Sequence, residues 1–229
     1  MDIIGEALND YYKKNSAEPL LLHNSYGMPE EMPVEVFFRE EEDLPDVELC
    51  ALDICEGSVL DIGAGVGVHS LILQNRGINV VALEISEEPI EIMSNRGVKN
   101  IYKEDIFQFK KERFDTLLLL MNGVGIVGTI KRLEVFLEHA KTILNPDGQI
   151  LLDSSDIMYL YEDIPKPSGK YYGEISYRYE YKSQMGQWFD WLYIDPITLE
   201  EIADKCGYHG QIIYEGEEDN FLARLTLKE

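Results

Sequence analysis

Val59-Leu60-Asp61-Ile62-Gly63-Ala64-Gly65-Val66-Gly67-Val68-His69-Ser70 reads as a short apolar strand, an acidic residue, three glycines at alternate positions and the opening of a helix. Glycines at this spacing turn the backbone tightly and, having no side chain, let a ligand lie almost on the main chain. Val80-Val81-Ala82-Leu83-Glu84 follows, a second apolar run that ends in a carboxylate 21 residues after Gly63. Ile101-Tyr102-Lys103-Glu104-Asp105-Ile106 again places an acid where a strand ends. Three successive strand ends thus carry one glycine turn and two further acids.

Outward from this core the chain alternates. A strand at 58–62 leads into a helix from Val66 to about Asn75, and a strand at 79–83 into a helix opened by Ser86 and closed by Gly97. Acids Glu87 and Glu88 in that helix's first turn suit the positive end of its dipole. A short strand near 99–102 is followed by Phe114-Asp115-Thr116-Leu117-Leu118-Leu119-Leu120-Met121, apolar on both faces like a central strand covered by helices. A helix from about Ile130 to Leu144 is expected to stop at Asn145-Pro146-Asp147-Gly148, before a fifth strand at 149–153. Such alternation with short connections implies a parallel sheet with right-handed crossovers.

The flanks read differently. Residues 1–56 are expected to form a helical and loop cap, with helices near 3–14 and 47–55, and residues 57–229 the main domain. The acidic run Arg39-Glu40-Glu41-Glu42-Asp43 reads as solvated surface. Tyr171 to Ile194 alternates with period two, Tyr177, Tyr179 and Tyr181 on one side and Arg178 and Glu180 on the other, as in a half-buried antiparallel strand. Met185-Gly186 is expected to turn it back into a partner strand, making a hairpin insertion at about 170–194. A last hairpin, 209–214 and 221–227, is joined by the acidic turn Glu215–Asn220.

Composition narrows the function classes. The formal charge is −23 over 229 residues, and no basic stripe compensates it, so nucleic acid is an unfavourable partner. A small, neutral or cationic substrate is easier to accommodate. No run reaches the roughly 18 apolar residues that a membrane span requires, so no membrane partner is expected. Three cysteines without partners in metal-ligand spacing, and an acidic start unlike a secretory signal, point to a cytoplasmic protein without a metal.

In an open parallel sheet the ligand lies beyond the carboxyl ends of the strands, where the strand order reverses. Glu84, with two acceptor oxygens, suits the two hydroxyls of a ribose and repels a 2′-phosphate. Asp105 is placed to accept from an adenine amino group, with the Ile106 N–H donating to the ring and Ile85 and Ile106 sandwiching it. These residues resemble the motifs of class I S-adenosylmethionine-dependent methyltransferases: Val59 to Gly67 the first, Glu84 the ribose acid, Lys103-Glu104-Asp105-Ile106 the adenine motif, Phe114-Asp115 the opening of the fourth strand, and Leu144 to Gln149 the turn before the fifth. The likeness covers about residues 57–155. It implies a doubly wound α/β fold, a mostly parallel seven-stranded sheet with a reversed C-terminal strand, to which the flanks read above add an N-terminal helical cap and an extra antiparallel β-hairpin. It also implies S-adenosyl-L-methionine as cofactor, with Asp61, Gly63, Ala64, Gly65 and Gly67 at its methionine part and the backbone of Met121 and Asn122 facing its amine and sulfonium.

Two other readings use the same fold. A nicotinamide oxidoreductase wants a third glycine three residues after the second, where Val68 stands, and its pyrophosphate would be repelled by Asp61. A non-catalytic adenosylmethionine-binding or scaffold protein would keep the turn without the chemistry. Methyl transfer from a sulfonium is an in-line displacement that mainly needs alignment, so no catalytic residue can be read off. The Asn/Asp-Pro-Pro-aromatic segment of amino-methylating relatives is here Met121-Asn122-Gly123-Val124, without prolines, which argues against nucleobase or amide-nitrogen acceptors of that type. Tyr26, Trp188 and Trp191 are the substrate candidates. The tyrosine face of the hairpin is an alternative surface for a homodimer. His69 is taken as a helix-surface or packing residue.

Overall fold

The computed structural model describes residues 2–15, 17–216 and 219–228, so Glu217 and Glu218 of the terminal acidic turn lie outside it. In chain order the elements are α1 (Ile3–Lys14), β1 (Leu20–Asn24), β2 (Glu30–Met32), α2 (Asp46–Asp53), β3 (Ser58–Ile62), α3 (Val68–Asn75), β4 (Asn79–Glu84), α4 (Glu87–Arg96) and β5 (Ile101–Lys103). They continue with β6 (Phe114–Leu119), α5 (Ile130–Ala140), β7 (Leu144–Ser155), β8 (Glu174–Tyr181), β9 (Gln184–Met185), β10 (Phe189–Leu192), α6 (Pro196–Lys205), β11 (Tyr208–Glu215) and β12 (Asn220–Leu227).

Seven strands form the main sheet in the order β11-β12-β7-β6-β3-β4-β5. β3 to β7 run parallel, and β12 is antiparallel to both neighbours, the reversed strand that the resemblance implies. The alternation of each strand divides its side chains between two cores. Leu60, Leu117, Leu119, Ile150 and Leu152 pack under α5 and α6 with Leu133, Phe136 and Leu199. Val59, Leu118, Leu151 and Leu222 pack on the other face with Leu52 of α2, Leu73 of α3 and Leu8 of α1. Crossovers leave β3 and β6 in opposite directions, so the switch point lies between them, at the glycine turn.

Asp115 clasps the amino ends of the central strands β3 and β6. It accepts the Ser58 N–H (2.7 Å), the Ser58 hydroxyl (2.8 Å) and the Asn145 amide (2.7 Å), and these bonds hold its carboxyl below the usual range. That use of Asn145 explains a difference from the sequence expectation. α5 ends at Ala140, and Asn145–Gly148 lies within β7 as an irregularity between the Phe114–Leu144 and Thr116–Gln149 pairs, rather than as the stop of a longer helix.

The second sheet is antiparallel, β10-β8-β1-β2, with β9 folded back on β8. The N-terminal segment is therefore not only helix and loop: Leu22 pairs with Tyr179 and Asn24 with Tyr177. Leu20-Leu21-Leu22-His23-Asn24 has no period-two signature, and becomes a strand because β8 offers it an edge. The hairpin turns at Lys182-Ser183 (φ 49° and 62°), not at Met185-Gly186. Positive φ at both positions is the type I′ two-residue turn, which glycine or asparagine would have advertised and lysine and serine conceal. Tyr177 and Tyr181 of the tyrosine face are buried within the chain itself.

The two sheets meet at Gly125, in the short helix Gly123–Val127 after β6. A Cβ there would lie 1.9 Å from Nε1 of Trp191, so only glycine lets the indole rest on this loop. Gly125→Val should lower stability by about 1–3 kcal/mol through overpacking. Urea denaturation checks this, and a Trp191→Ala background should relieve most of the loss.

Candidate functional site

The carboxyl ends of β3, β4, β6 and β7 open on a cleft beneath the second sheet. Two compartments, of about 490 Å³ and about 810 Å³, share Gly63, Gly65, Tyr179, Phe189 and Trp191 in their walls. Glu84, Ile85, Asp105 and Ile106 line the first; Asp61, Ala64, Met121, Asn122 and Tyr26 line the second. Ten of the sequence candidates for the cofactor thus lie on one continuous cleft, since Gly63 and Gly65 face both compartments.

The glycine turn is fastened to β4, with the Gly63 and Ala64 N–H groups donating to Leu83 O at 2.9 and 3.1 Å. Gly63, Gly65 and Gly67 all have positive φ (72°, 55° and 84°). Their surroundings separate their roles. A Cβ on Gly65 would meet no protein atom within 4 Å, so it would project into open space. A Cβ on Gly67 would strike Val98 and Met93 at 2.8 and 2.9 Å. Gly67 lines neither compartment; it lets the start of α3 sit on α4.

Four carboxylates converge on the cleft. Glu84 accepts the N–H groups of Gly65 (3.0 Å), Ile85 (2.7 Å) and Ser86 (3.0 Å). Asp105 accepts the Phe107 N–H at 3.0 Å. Asp61, 2% exposed, takes the Ser70 hydroxyl at 2.6 Å. Asp153 at the end of β7 takes the N–H groups of Asn122 and Gly123, both at 3.0 Å. Those two bonds hold Met121 and Asn122 in the left-handed region, φ 65° and 51°, where non-glycine residues are strained. Burial raises the carboxyls of Asp61 and Glu84 above the ordinary range, against the hydrogen bonds just named, and pushes Asp153 up to about 6.

Sequence reasoning missed a buried cluster in the larger compartment. His69 is no surface residue: Nε2 lies 2.6 Å from Glu48, which also takes two bonds from Arg39 Nη2 at 2.9 and 3.0 Å. Glu48 and His69 are 3% and 5% exposed. Burial alone would raise Glu48 and lower His69, but their mutual bond reverses both, with the Arg39 charge helping Glu48 and the Asp61 charge helping His69. Nothing in the pattern of α2 singles out Glu48, and Arg39 is masked by the acidic run after it. Asp153 was findable, because it ends the fifth strand as Asp61, Glu84 and Asp105 end or follow theirs. Trp191 lies in the cleft wall. Trp188 does not reach the cleft; its ring is half exposed under the Arg178 guanidinium, 4.7 Å from the centroid.

This donor set fits an adenosyl compound that carries positive charge. Buried carboxylates held above their normal range gain when a cation arrives, the space at Gly65 is free, and Glu84 keeps acceptor capacity for hydroxyl donors. The comparisons agree. The family profile of the methyltransferase domain matches residues 38–209. An S-adenosylmethionine-dependent methyltransferase from Bacteroides fragilis, solved in complex with S-adenosyl-L-homocysteine, is 41% identical, with 100% of this chain and 95% of that chain covered and a TM-score of 0.92. The CcbJ methyltransferase from Streptomyces caelestis is 12% identical over 99% of this chain and 98% of that one (TM-score 0.67). An S-adenosylmethionine-dependent methyltransferase from Clostridium acetobutylicum is 12% identical over 82% and 94% (TM-score 0.58). These last two show the fold alone. No curated protein matches the chain. The chain belongs to the methyltransferase domain family, as a class I S-adenosylmethionine-dependent methyltransferase. The oxidoreductase and non-catalytic readings are set aside.

The Glu48–His69 pair gives the ligand-free protein a pH signature. The His69 pKa is raised above 6.5, so its stabilisation is complete below that pH and is lost as pH rises through the folded value. The Glu48 pKa is lowered from 4.5, so its contribution is present above that pH and lost as pH falls. Urea midpoints should decline on the alkaline side of 6.5, and His69→Gln should flatten that decline; an unchanged slope in the variant would contradict the pairing.

Proposed function

We propose that this methyltransferase transfers the methyl group in line to a small-molecule acceptor held in the larger compartment. The observation that carries the proposal is the extent of the cleft: Glu84, Ile85, Asp105 and Ile106 line one compartment, and the other runs past Asp61, Met121 and Asn122 to a wall of Tyr26, Tyr177 and Tyr193, space beyond what the adenosyl candidates themselves line. When bound, the cofactor supplies a methyl group on a sulfonium, a leaving group good enough that positioning and water exclusion do most of the work.

Each side chain then has a task. Glu84 takes the ribose hydroxyls while its backbone donors keep it oriented. Asp105 and the Ile106 N–H read the adenine edge, between Ile85 and Ile106. Gly63, Ala64 and Gly65 leave room for the methionine part, and Asp61 balances its positive charge. Met121 and Asn122, fixed by Asp153, present main-chain groups to the reacting end. Gly67 contributes by packing α3, without touching the ligand. Trp191 and Tyr179 stand where the compartments join, which suits them to exclude water.

A small acceptor is supported by enclosure and charge. The second sheet closes over the larger compartment, and a protein of net charge −23 repels polyanionic substrates. Among the described residues no helix is long and apolar enough to cross a membrane. Three free cysteines suit the reducing cytoplasm, where we place the protein. Residues 1–56 and the hairpin at about 170–194 act together as the roof over the cofactor domain, since β1 and β8 are paired.

Glu84→Ala should weaken S-adenosylhomocysteine binding by at least about tenfold, the worth of one charge-assisted hydrogen bond or more. Gly65→Val should abolish binding, because its side chain would fill the open space beside the turn. Isothermal titration decides both, and wild-type affinity in either variant would sink the assignment of these residues.

A further inference from the structure

We propose that the acceptor is an amine, recognised as its ammonium form by Tyr26, Tyr177 and Glu30. The inference rests on the small-molecule reading above and names the class of substrate for that same site.

Three phenols converge in the wall of the larger compartment, each from a different part of the roof: Tyr26 after β1, Tyr177 on β8 and Tyr193 after β10. Their hydroxyls form a chain. Tyr26 donates to Glu30 Oε1 at 3.2 Å, and Tyr177 donates to Tyr193 at 3.4 Å. The Tyr26 and Tyr177 oxygens lie 3.5 Å apart. A hydroxyl has one hydrogen to give. With its hydrogen given to the Glu30 carboxylate, the Tyr26 oxygen keeps lone pairs that face the compartment beside the Tyr177 oxygen. Two phenol oxygens so placed can accept from an N–H group of a ligand.

The charge of the compartment selects a cation among donors. Glu30, Asp61, Asp153 and Asp219 line it together with Glu48, against Arg39 and His69. Arg39 and His69 are both engaged by Glu48. The aromatic faces of Phe189 and Trp191, edge to face at 6.4 Å, add the quadrupole that attracts an ammonium. Burial pushes the Tyr26 phenol up to about 12, so it stays a neutral hydrogen-bonding group rather than a competing anion. A carboxylate is repelled, and an alcohol can donate to the phenols but brings no positive charge to the acidic lining.

The same chain provides for the proton that must leave before nitrogen attacks. The ammonium gives one proton to the Tyr26 oxygen as Tyr26 passes its own to Glu30, which is exposed to solvent and releases it. The freed lone pair then forms the N–C bond while the S–C bond breaks, and sulfur keeps the bonding pair. One positive charge passes from sulfonium to the methylated ammonium, so charge and atoms balance.

The test uses the full-length protein saturated with S-adenosylhomocysteine and matched probes: cyclohexylamine against cyclohexanol, and benzylamine against benzyl alcohol. Ligand-observed NMR titration should show each amine binding at least about tenfold more tightly than its alcohol, the scale of a charge-assisted bond. Tyr26→Phe and Glu30→Gln should each erase that preference while S-adenosylhomocysteine affinity stays at the wild-type value. Equal affinity for amine and alcohol, or a preference that survives in both variants, overturns the proposal. Transfer of labelled methyl to a panel of amines, alcohols and thiols separates the two levels. Label on alcohols or thiols alone removes the amine and leaves the small-molecule reading standing. Label only on added protein or nucleic acid removes both.

Discussion

Burying negative charge at the ends of parallel strands is the constraint that organises the active end of this protein. Asp61, Glu84 and Asp153 sit where water is scarce; Asp61 is answered by the Ser70 hydroxyl of α3, the other two by donors from neighbouring turns. Glu84 is met by three backbone N–H groups, one of them from the glycine turn itself. Asp153 is met by two, from Asn122 and Gly123. The second case shows which effect wins. A left-handed conformation costs a non-glycine residue roughly 1–2 kcal/mol. A hydrogen bond to a charged group is worth roughly 1.5–3 kcal/mol, so two of them offset the strain at Met121 and Asn122. The loop is therefore held in a shape that its own residues disfavour, which is how preorganised binding sites are made.

The roof is tied to this machinery at separate points. Glu48 of α2 reaches His69 at the start of α3, directly after the glycine turn. The indole of Trp191 rests on Gly125, directly after the strained loop. Tyr179 pairs in register with Leu22 and forms part of the neck between the compartments. Movement of the roof would therefore pull on both turns that line the cleft, and a well-filled cleft should stiffen the roof in return.

Much of the cofactor side was legible because it obeys local rules. Period-two apolar runs ending in acids, Ser86 before α4 and Gly97 after it, and glycines at alternate positions all carry their structure in a few neighbouring residues. The larger compartment was not, because it is built by long-range pairing. β1 is a strand only in the presence of β8, 157 residues away at the His23–Glu180 contact. Glu48 and Arg39 acquire meaning only when α2 is packed on the sheet. The turn at Lys182-Ser183 hides behind residues that rarely adopt positive φ, while Met185-Gly186 imitates a turn it does not make. Trp188 and Trp191 look equivalent in sequence, yet only the second reaches the cleft: β10 pairs with β8 from Phe189 onward and puts Trp191 beside Gly125, while Trp188 precedes it.

The distribution of charge also separates the two compartments chemically. In the smaller compartment Glu84 and Asp105 are oriented by main-chain donors and keep lone pairs free, an arrangement that recognises hydroxyl and amino groups by direction. In the larger space the neutralising cations are themselves locked in a buried triad, Arg39–Glu48–His69, and leave the remaining carboxylates without partners of opposite sign. Fixed cations of this kind cannot turn to pair with an incoming anion without abandoning Glu48, and stripping a buried carboxylate of its partners costs several kcal/mol. An anionic acceptor thus meets both unscreened repulsion and a disrupted triad. The same bonds that tie Arg39 and Glu48 to α3 disfavour an anion in the larger compartment.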